Sequence, residues 1–168
     1  MAITAAEIKY YLSGGASNTD PNASLGGDIS STEITSGTLH NLFDQVSGAE
    51  SSAGDTEYRC FYIKNTNATL TWQNVKIWVE TETANPDTDE LIGLGSSAVG
   101  GSEPSVADES TAPSGITFSQ ANLEANALTI GDIPAGSWKA VWVRRDVTAG
   151  ASASSDSMTI RAKGDTAA

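Results

Sequence analysis

The chain of 168 residues has one cysteine, Cys60, and one histidine, His40. A single cysteine excludes an internal disulfide framework and a thiolate zinc site. One histidine leaves few nucleophile–base pairings, and no Gly-x-Ser-x-Gly, Walker A, Gly-x-Gly-x-x-Gly or His-Glu-x-x-His motif occurs. No apolar run reaches the roughly 18 residues that a helix needs to cross a bilayer. Basic residues are scarce, 9 against 21 acidic ones, and the net charge is −12. Such an object repels phosphate, which argues against nucleic acid and anionic membrane as partners. The opening MAITAAEIKYYLSGG carries Glu7 and Lys9 where a secretion signal is apolar, so no cleaved signal is expected and a reducing cytosol suits the lone cysteine.

What is present is Gly, Ser, Thr, Asn and Asp, gathered in stretches that separate short apolar runs. That pattern predicts one all-β domain with long loops. The expected strands are 7–12, 58–64, 75–80, 91–94, 116–118, 128–130, 138–145 and 157–163, seven or eight in all, with turn spacing that fits an immunoglobulin-like β-sandwich. Residues 58–164 are expected to hold the sandwich core. Residues 1–57 would add a first strand, a polar arm (Ser13 to Ser36) and one short helix, and 165–168 a loose tail. The arm contains two turn signals, Asp20-Pro21-Asn22 and Gly26-Gly27-Asp28. The helix is predicted where Leu39, Leu42, Phe43 and Val46 form an i, i+3, i+4, i+7 stripe, with Thr38 as N-cap and Gly48 as stop.

Alternation assigns faces in the strands. Val75, Ile77 and Val79 share one face, and Trp78 lies on the other. Val141 and Val143 share a face, and Trp138, Trp142 and Arg144 take the opposite one. With the aliphatic residues inward, Trp78, Trp138 and Trp142 point away from the sandwich interior, and Trp72 could join them. Soluble monomers rarely expose several indoles together, and Trp with Arg is a common composition for a protein contact. Trp72, Trp78, Trp138, Trp142 and Arg144 are therefore the candidate interface. Two covers for it stay open, a neighbouring molecule or the chain's own N-terminal segment and helix.

The other reactive types read as structural. Cys60 lies mid-strand between Tyr58 and Tyr62 and suits a small buried hydrophobe. His40 has no second histidine with which to hold a metal. Asn85-Pro86-Asp87-Thr88-Asp89-Glu90 offers several oxygens but lacks the glycine and distal glutamate of an EF-hand loop, so a plain turn is favoured over a calcium site. Asn22-Ala-Ser24 and Asn67-Ala-Thr69 match glycosylation sequons and read as turns in a chain without a signal. No cofactor, metal or catalytic residue is assigned.

The blocks GDTEYRCFYIKNTNATLTWQNVKIWV (Gly54 to Val79) and IPAGSWKAVWVRRDVTAG (Ile133 to Gly150), with the weaker YYLSGGASNTDPNASLGG, resemble small immunoglobulin-like structural proteins of tailed bacteriophages. The resemblance lies in strands and turns, and no site residues carry over from it. It implies a non-enzymatic virion component made in the cytoplasm of a bacterial host. The expected role is a capsid decoration or cement protein, a homo-oligomer with a trimer favoured, bound to the major capsid protein or other virion proteins. The arm would then be ordered by contact with neighbours. A neck, tail or baseplate component is the alternative within that class. A carbohydrate-binding module and a carboxylate-pair hydrolase are the alternatives outside it.

Overall fold

The computed structural model describes residues 2–152 and 156–166. Among them run β1 (Ile8–Leu12), the short helix α1 (Gly48–Ala53), β2 (Asp55–Asn65), β3 (Trp72–Thr81), β4 (Thr88–Leu94), β5 (Leu128–Ile133), β6 (Trp138–Val147) and β7 (Thr159–Thr166). They build two antiparallel sheets, ordered β1-β2-β6-β4 and β5-β3-β7, and so an all-β sandwich, as the alternating pattern predicts.

The spine of the four-stranded sheet is the β2–β6 pair, in unbroken register from Asp55 opposite Val147 to Lys64 opposite Trp138. Because no bulge interrupts it, strict alternation holds on both strands. Phe61, Ile63, Val141 and Val143 enter the core between the sheets, where they meet Leu12, Val75, Ile77, Val79, Ile92 and Ile133. Each such side chain, once fully buried, stabilises the fold by about 1.5–3 kcal/mol. β3 is less regular. Asn74 has φ +54°, and the register shifts around Gln73 to Lys76. That bulge adds a residue and turns Trp72 into the same core as Val75.

Loops of the chain itself seal the edges of the four-stranded sheet. Ile34 N donates to Tyr10 O (2.8 Å) and Leu12 N to Thr32 O (3.0 Å), which closes β1. Beyond the reach of β1, Cys60 N donates to Ser24 O (2.7 Å) and Tyr58 N to Glu109 O (2.8 Å). On β4, Ile92 and Ser119 exchange a pair of backbone bonds of 3.1 and 3.0 Å. The polar arm is thus part of this fold. Its buried Ser13, Ser24 and Ser30 are held on the chain's own sheet, and the expectation that neighbouring molecules order it is corrected.

Three further expectations change. The predicted helix over 39–46 is absent: His40 has φ +55°, which no helix accommodates, and Leu39 is 77% exposed. Leu42 goes instead into the apolar core, and Phe43 goes under two guanidinium groups. A two-turn helix nucleates poorly, so these separate burials win. The helix forms just afterwards, where Ser47 and Glu50 make a reciprocal capping box and Gly54, at φ +78°, ends it. Residues 116–118 form no strand, and only Ser119 bridges to β4. Residues 165–166, expected as loose tail, continue β7 and pair with Gln73 and Trp72, while 167–168 lie outside the described residues.

Candidate functional site

The outer face of the four-stranded sheet carries Tyr11 of β1, Tyr58, Cys60, Tyr62 and Lys64 of β2, and Trp138, Ala140, Trp142 and Arg144 of β6. Alternation therefore aimed Trp138, Trp142 and Arg144 as predicted. Cover is the part that differs. Tyr58, Cys60, Tyr62, Ala140 and Trp142 form a second buried cluster, packed by Ile29 of the arm and by Val106, Ile116 and Phe118 of the long loop after β4. Trp142 is 0% exposed. Of the two covers left open, the chain's own is the one on Trp142: the N-terminal arm supplies part of it, and the long loop after β4 stands where the helix was expected.

Glu103 ties the cover down. The residue is buried, and its carboxylate accepts from Ser96 N (2.8 Å), Ser97 N (2.8 Å) and the Trp142 indole Nε1 (3.1 Å). Its own N–H donates to the Tyr62 hydroxyl (2.9 Å), and that hydroxyl donates to Gly27 O. Burial pushes the carboxyl pKa up, but the backbone amides of Ser97 and Ser96 and the indole outweigh it and hold the group below its ordinary value. The carboxylate thus clamps the loop to the sheet, and the Glu103 backbone with the Tyr62 hydroxyl adds the arm, with no cation in ion-pair range among the described residues. Cys60 beneath it is free, and burial raises its thiol pKa far above the ordinary value, so it is an inert core residue.

Trp78 repeats the pattern on the other sheet. It lies opposite Arg161 on the outer face, yet it is only 4% exposed. The segment from Ala121 through the 3-10 turn Glu124–Asn126 lies along β3, with Val79 N donating to Ala121 O (2.7 Å), and joins the same contiguous apolar cluster. Trp72 is 5% exposed and faces inward. Of the four tryptophans only Trp138 stays half-buried.

Trp138 sits at the uncovered end of the outer face in a row with Lys64 and Tyr11. The Lys64 ammonium lies 5.2 Å from the Trp138 ring centroid and 5.8 Å from that of Tyr11. The Trp138 indole donates to Gly101 O (3.1 Å), which sets the ring's orientation. Lys9 beside them pairs with Glu33 (2.9 Å). Tyr11 and Lys64 were not singled out from sequence, although Lys64 is the β2 residue opposite Trp138 and alternation brings Tyr11 to the same face. Arg144, at the other end, makes a two-pronged pair with Asp146 at 2.8 and 2.9 Å and is half-exposed. The structure therefore separates Arg144 from Trp138 rather than gathering them.

A second charged cluster lies on the inner face, where β2 and β6 turn polar. Glu57, Arg59 and Arg145 are buried there, with Asp44 and Glu109 at the rim. Asp44, Glu57 and Glu109 place carboxylate oxygens within 4.8 Å of one another, a spacing that could hold a cation. A guanidinium already stands among them. Arg59 Nη2 bonds Glu109 and lies 3.7 Å from Asp44 and 3.9 Å from Glu57, and Arg145 pairs with Glu57. A divalent ion would meet two guanidiniums at contact range, so the donor set does not suit a metal. Phe43 stacks below both, 5.4 and 4.6 Å from their central carbons.

Of the Asn85–Glu90 segment, Asn85 to Asp87 form a turn and Thr88 to Glu90 begin β4. Asn85 Oδ1 accepts from Asp87 N (3.0 Å), Asp87 takes Ser152 N (3.1 Å), and Asp156 takes Ala84 N (2.9 Å) and Asn85 N (2.6 Å). Asn67 likewise accepts from Thr69 N (3.0 Å) and Leu70 N (2.8 Å), an Asx turn. No family model, curated protein or solved structure matches this chain.

Proposed function

We propose that this chain is a non-enzymatic structural protein of a tailed-phage virion, and that it decorates the capsid through protein contacts. Two strand-and-turn blocks that resemble such proteins support the reading, and one observation carries it further. The buried ionisable side chains act as fasteners. Glu103 clamps the loop over the sheet, and Arg59 and Arg145 with Glu57 close one end of the sandwich. Of two hollows among the described residues, about 260 and 190 Å³, the first is lined by Glu103, whose carboxylate is spent on Ser96, Ser97 and Trp142, and the second has His40 and Glu33 at its exposed rim. A scaffold arranged this way suits load and contact better than turnover. The acid-rich surface suits an exterior that should not adhere to packaged DNA.

The contact assigned is the Tyr11–Lys64–Trp138 row, an aromatic and cationic strip on an acidic molecule. The test is cosedimentation of the purified chain with heads of the virion that encodes it. Trp138→Ala with Lys64→Glu should abolish binding while circular dichroism still shows a folded β-sandwich at the temperature of the assay. A chain that ignores heads and is missing from purified particles overturns the reading. A chain found only at the neck, tail or baseplate moves it within the same class. Binding to a soluble glycan panel, lost in the same variant, would favour the carbohydrate module instead.

A further inference from the structure

The sheet edges of this sandwich are treated unequally. Both edges of the four-stranded sheet are closed by the chain's own backbone, as described above. In the three-stranded sheet, β5 and β7 are the outer strands. Among the described residues, no backbone bond from outside the sheet reaches either one. β5 is blunted: Gly131 has φ +89°, and the β3–β5 register shifts twice between Trp72 and Lys76. β7 is the longer strand, Thr159–Thr166, and its free side presents unpaired main-chain donors and acceptors. Near its end Ile3 N donates to the Thr166 hydroxyl (3.0 Å), a bond to the side chain that leaves the Thr166 backbone free.

We propose that two copies of this chain pair antiparallel through β7, making one continuous sheet across a twofold axis. Charge selects the partner and the register. The molecule as a whole carries −12. On β7 Arg161 and Lys163 face outward with Asp165, and they pair within the chain with Glu80 and Glu124. Local charge there is close to neutral, so two copies repel least along this edge. Directly opposite residues in an antiparallel pair share a face. With Gly164 on the axis, Lys163 meets Asp165 of the second copy, Asp165 meets its Lys163, and Ala162 meets Thr166. With Lys163 on the axis, that residue would face its own copy. With Ala162 there, Arg161 would face Lys163. Gly164 suits the central position because a Cβ would lie 2.6 Å from the Trp72 indole nitrogen, so only hydrogen fits on the inner side.

A strand pair alone buries less than the roughly 1,200–2,000 Å² of a stable interface, so the association is weak and concentration-dependent. It is twofold, unlike the trimer that the phage resemblance favours. It also does not depend on the proposed virion role, since the capsid contact uses the opposite sheet. Sedimentation equilibrium of the full chain, from about micromolar to about millimolar, tests it. The expected result is a monomer–dimer equilibrium that Asp165→Lys and Lys163→Asp each weaken about tenfold, as cross-strand attraction becomes repulsion at two symmetric sites. The double swap Lys163→Asp with Asp165→Lys should restore it, which a mere loss of fold could not do. A monomer across the whole range overturns the proposal, as does a trimer, as do single variants that associate like wild type, and as does a double swap that restores nothing.

Discussion

Glu103 and Glu90 are both buried, and among the described residues neither has a cation within ion-pair distance, yet their surroundings are opposite. Glu103 Oε1 takes Ser96 N and the Trp142 indole, and Oε2 takes Ser97 N. In Glu103→Gln, either orientation of the amide sets an NH2 against at least one N–H donor. A hydrogen bond to a charged group contributes about 1.5–3 kcal/mol, so the net loss at pH 7 is about 2–3 kcal/mol. For a domain of this length that is a fall in Tm of roughly 4–12 °C, read by thermal unfolding followed by circular dichroism. The sign with pH follows from the direction of the shift. Glu103 sits below its ordinary 4.5 in the fold, so its contribution is present above that value and is lost as pH falls through the folded pKa. The gap between wild type and Glu103→Gln should therefore close in acid. A variant at least as stable as wild type at pH 7, or a gap that widens on acidification, would refute the clamp.

Glu90 is the mirror case: burial raises its carboxyl above the ordinary value, and only Thr83 N (3.3 Å) and Thr83 Oγ1 (3.1 Å) oppose it. Glu90→Gln keeps an acceptor for both, so it should stabilise by on the order of 1 kcal/mol at pH 7, with the gain vanishing below pH 4.5, where the wild-type carboxyl is protonated in both states. Arg59→Met leaves Glu57, Glu109 and Asp44 short of a cation and should lower stability by about 3 kcal/mol in urea titration; a neutral effect would mean that Arg145 alone neutralises the group. Gly164→Ala drives a methyl against Trp72 and the Gln73 carbonyl (2.7 Å) and should destabilise by about 1–3 kcal/mol, and an unchanged midpoint would show that β3 gives way easily.

How much of this was legible in the sequence depends on which force decides each feature. The two-sheet core was legible because Val75, Ile77, Val79, Val141 and Val143 alternate at strand period, and burial of that face decides register. The outward direction of Trp78, Trp138 and Trp142 followed from the same rule. What buries Trp142 and Trp78 was legible only in part: the N-terminal segment that holds Ile29 was one of two covers left open, whereas Phe118 and Ala121 belong to irregular segments without periodicity. Trp72 was misplaced for a different reason. The bulge at Asn74 shifts the count by one, and a positive φ at asparagine leaves only a weak mark in sequence. The stripe at 39–46 had helical spacing, but Leu42 and Phe43 had better partners apart than together. Glu103 gave no signal, since its role rests on backbone amides that any residue supplies. Lys64 could have been found by writing β2 against β6.

The spine of the larger sheet unites two stretches distant in sequence, and that ordering constrains how the molecule is made. β2 emerges early during synthesis, but its partner β6 starts only at Trp138. Until then the early strand, rich in aromatic residues, has β1 beside its second half and nothing on its other side. Contacts of such wide sequence separation slow folding and leave a newly made chain open to wrong pairings. In a growing polypeptide the hairpin-like options are few, so a chaperone that shields 55–65 until β6 appears should raise the yield of correctly assembled protein more than one that acts after release.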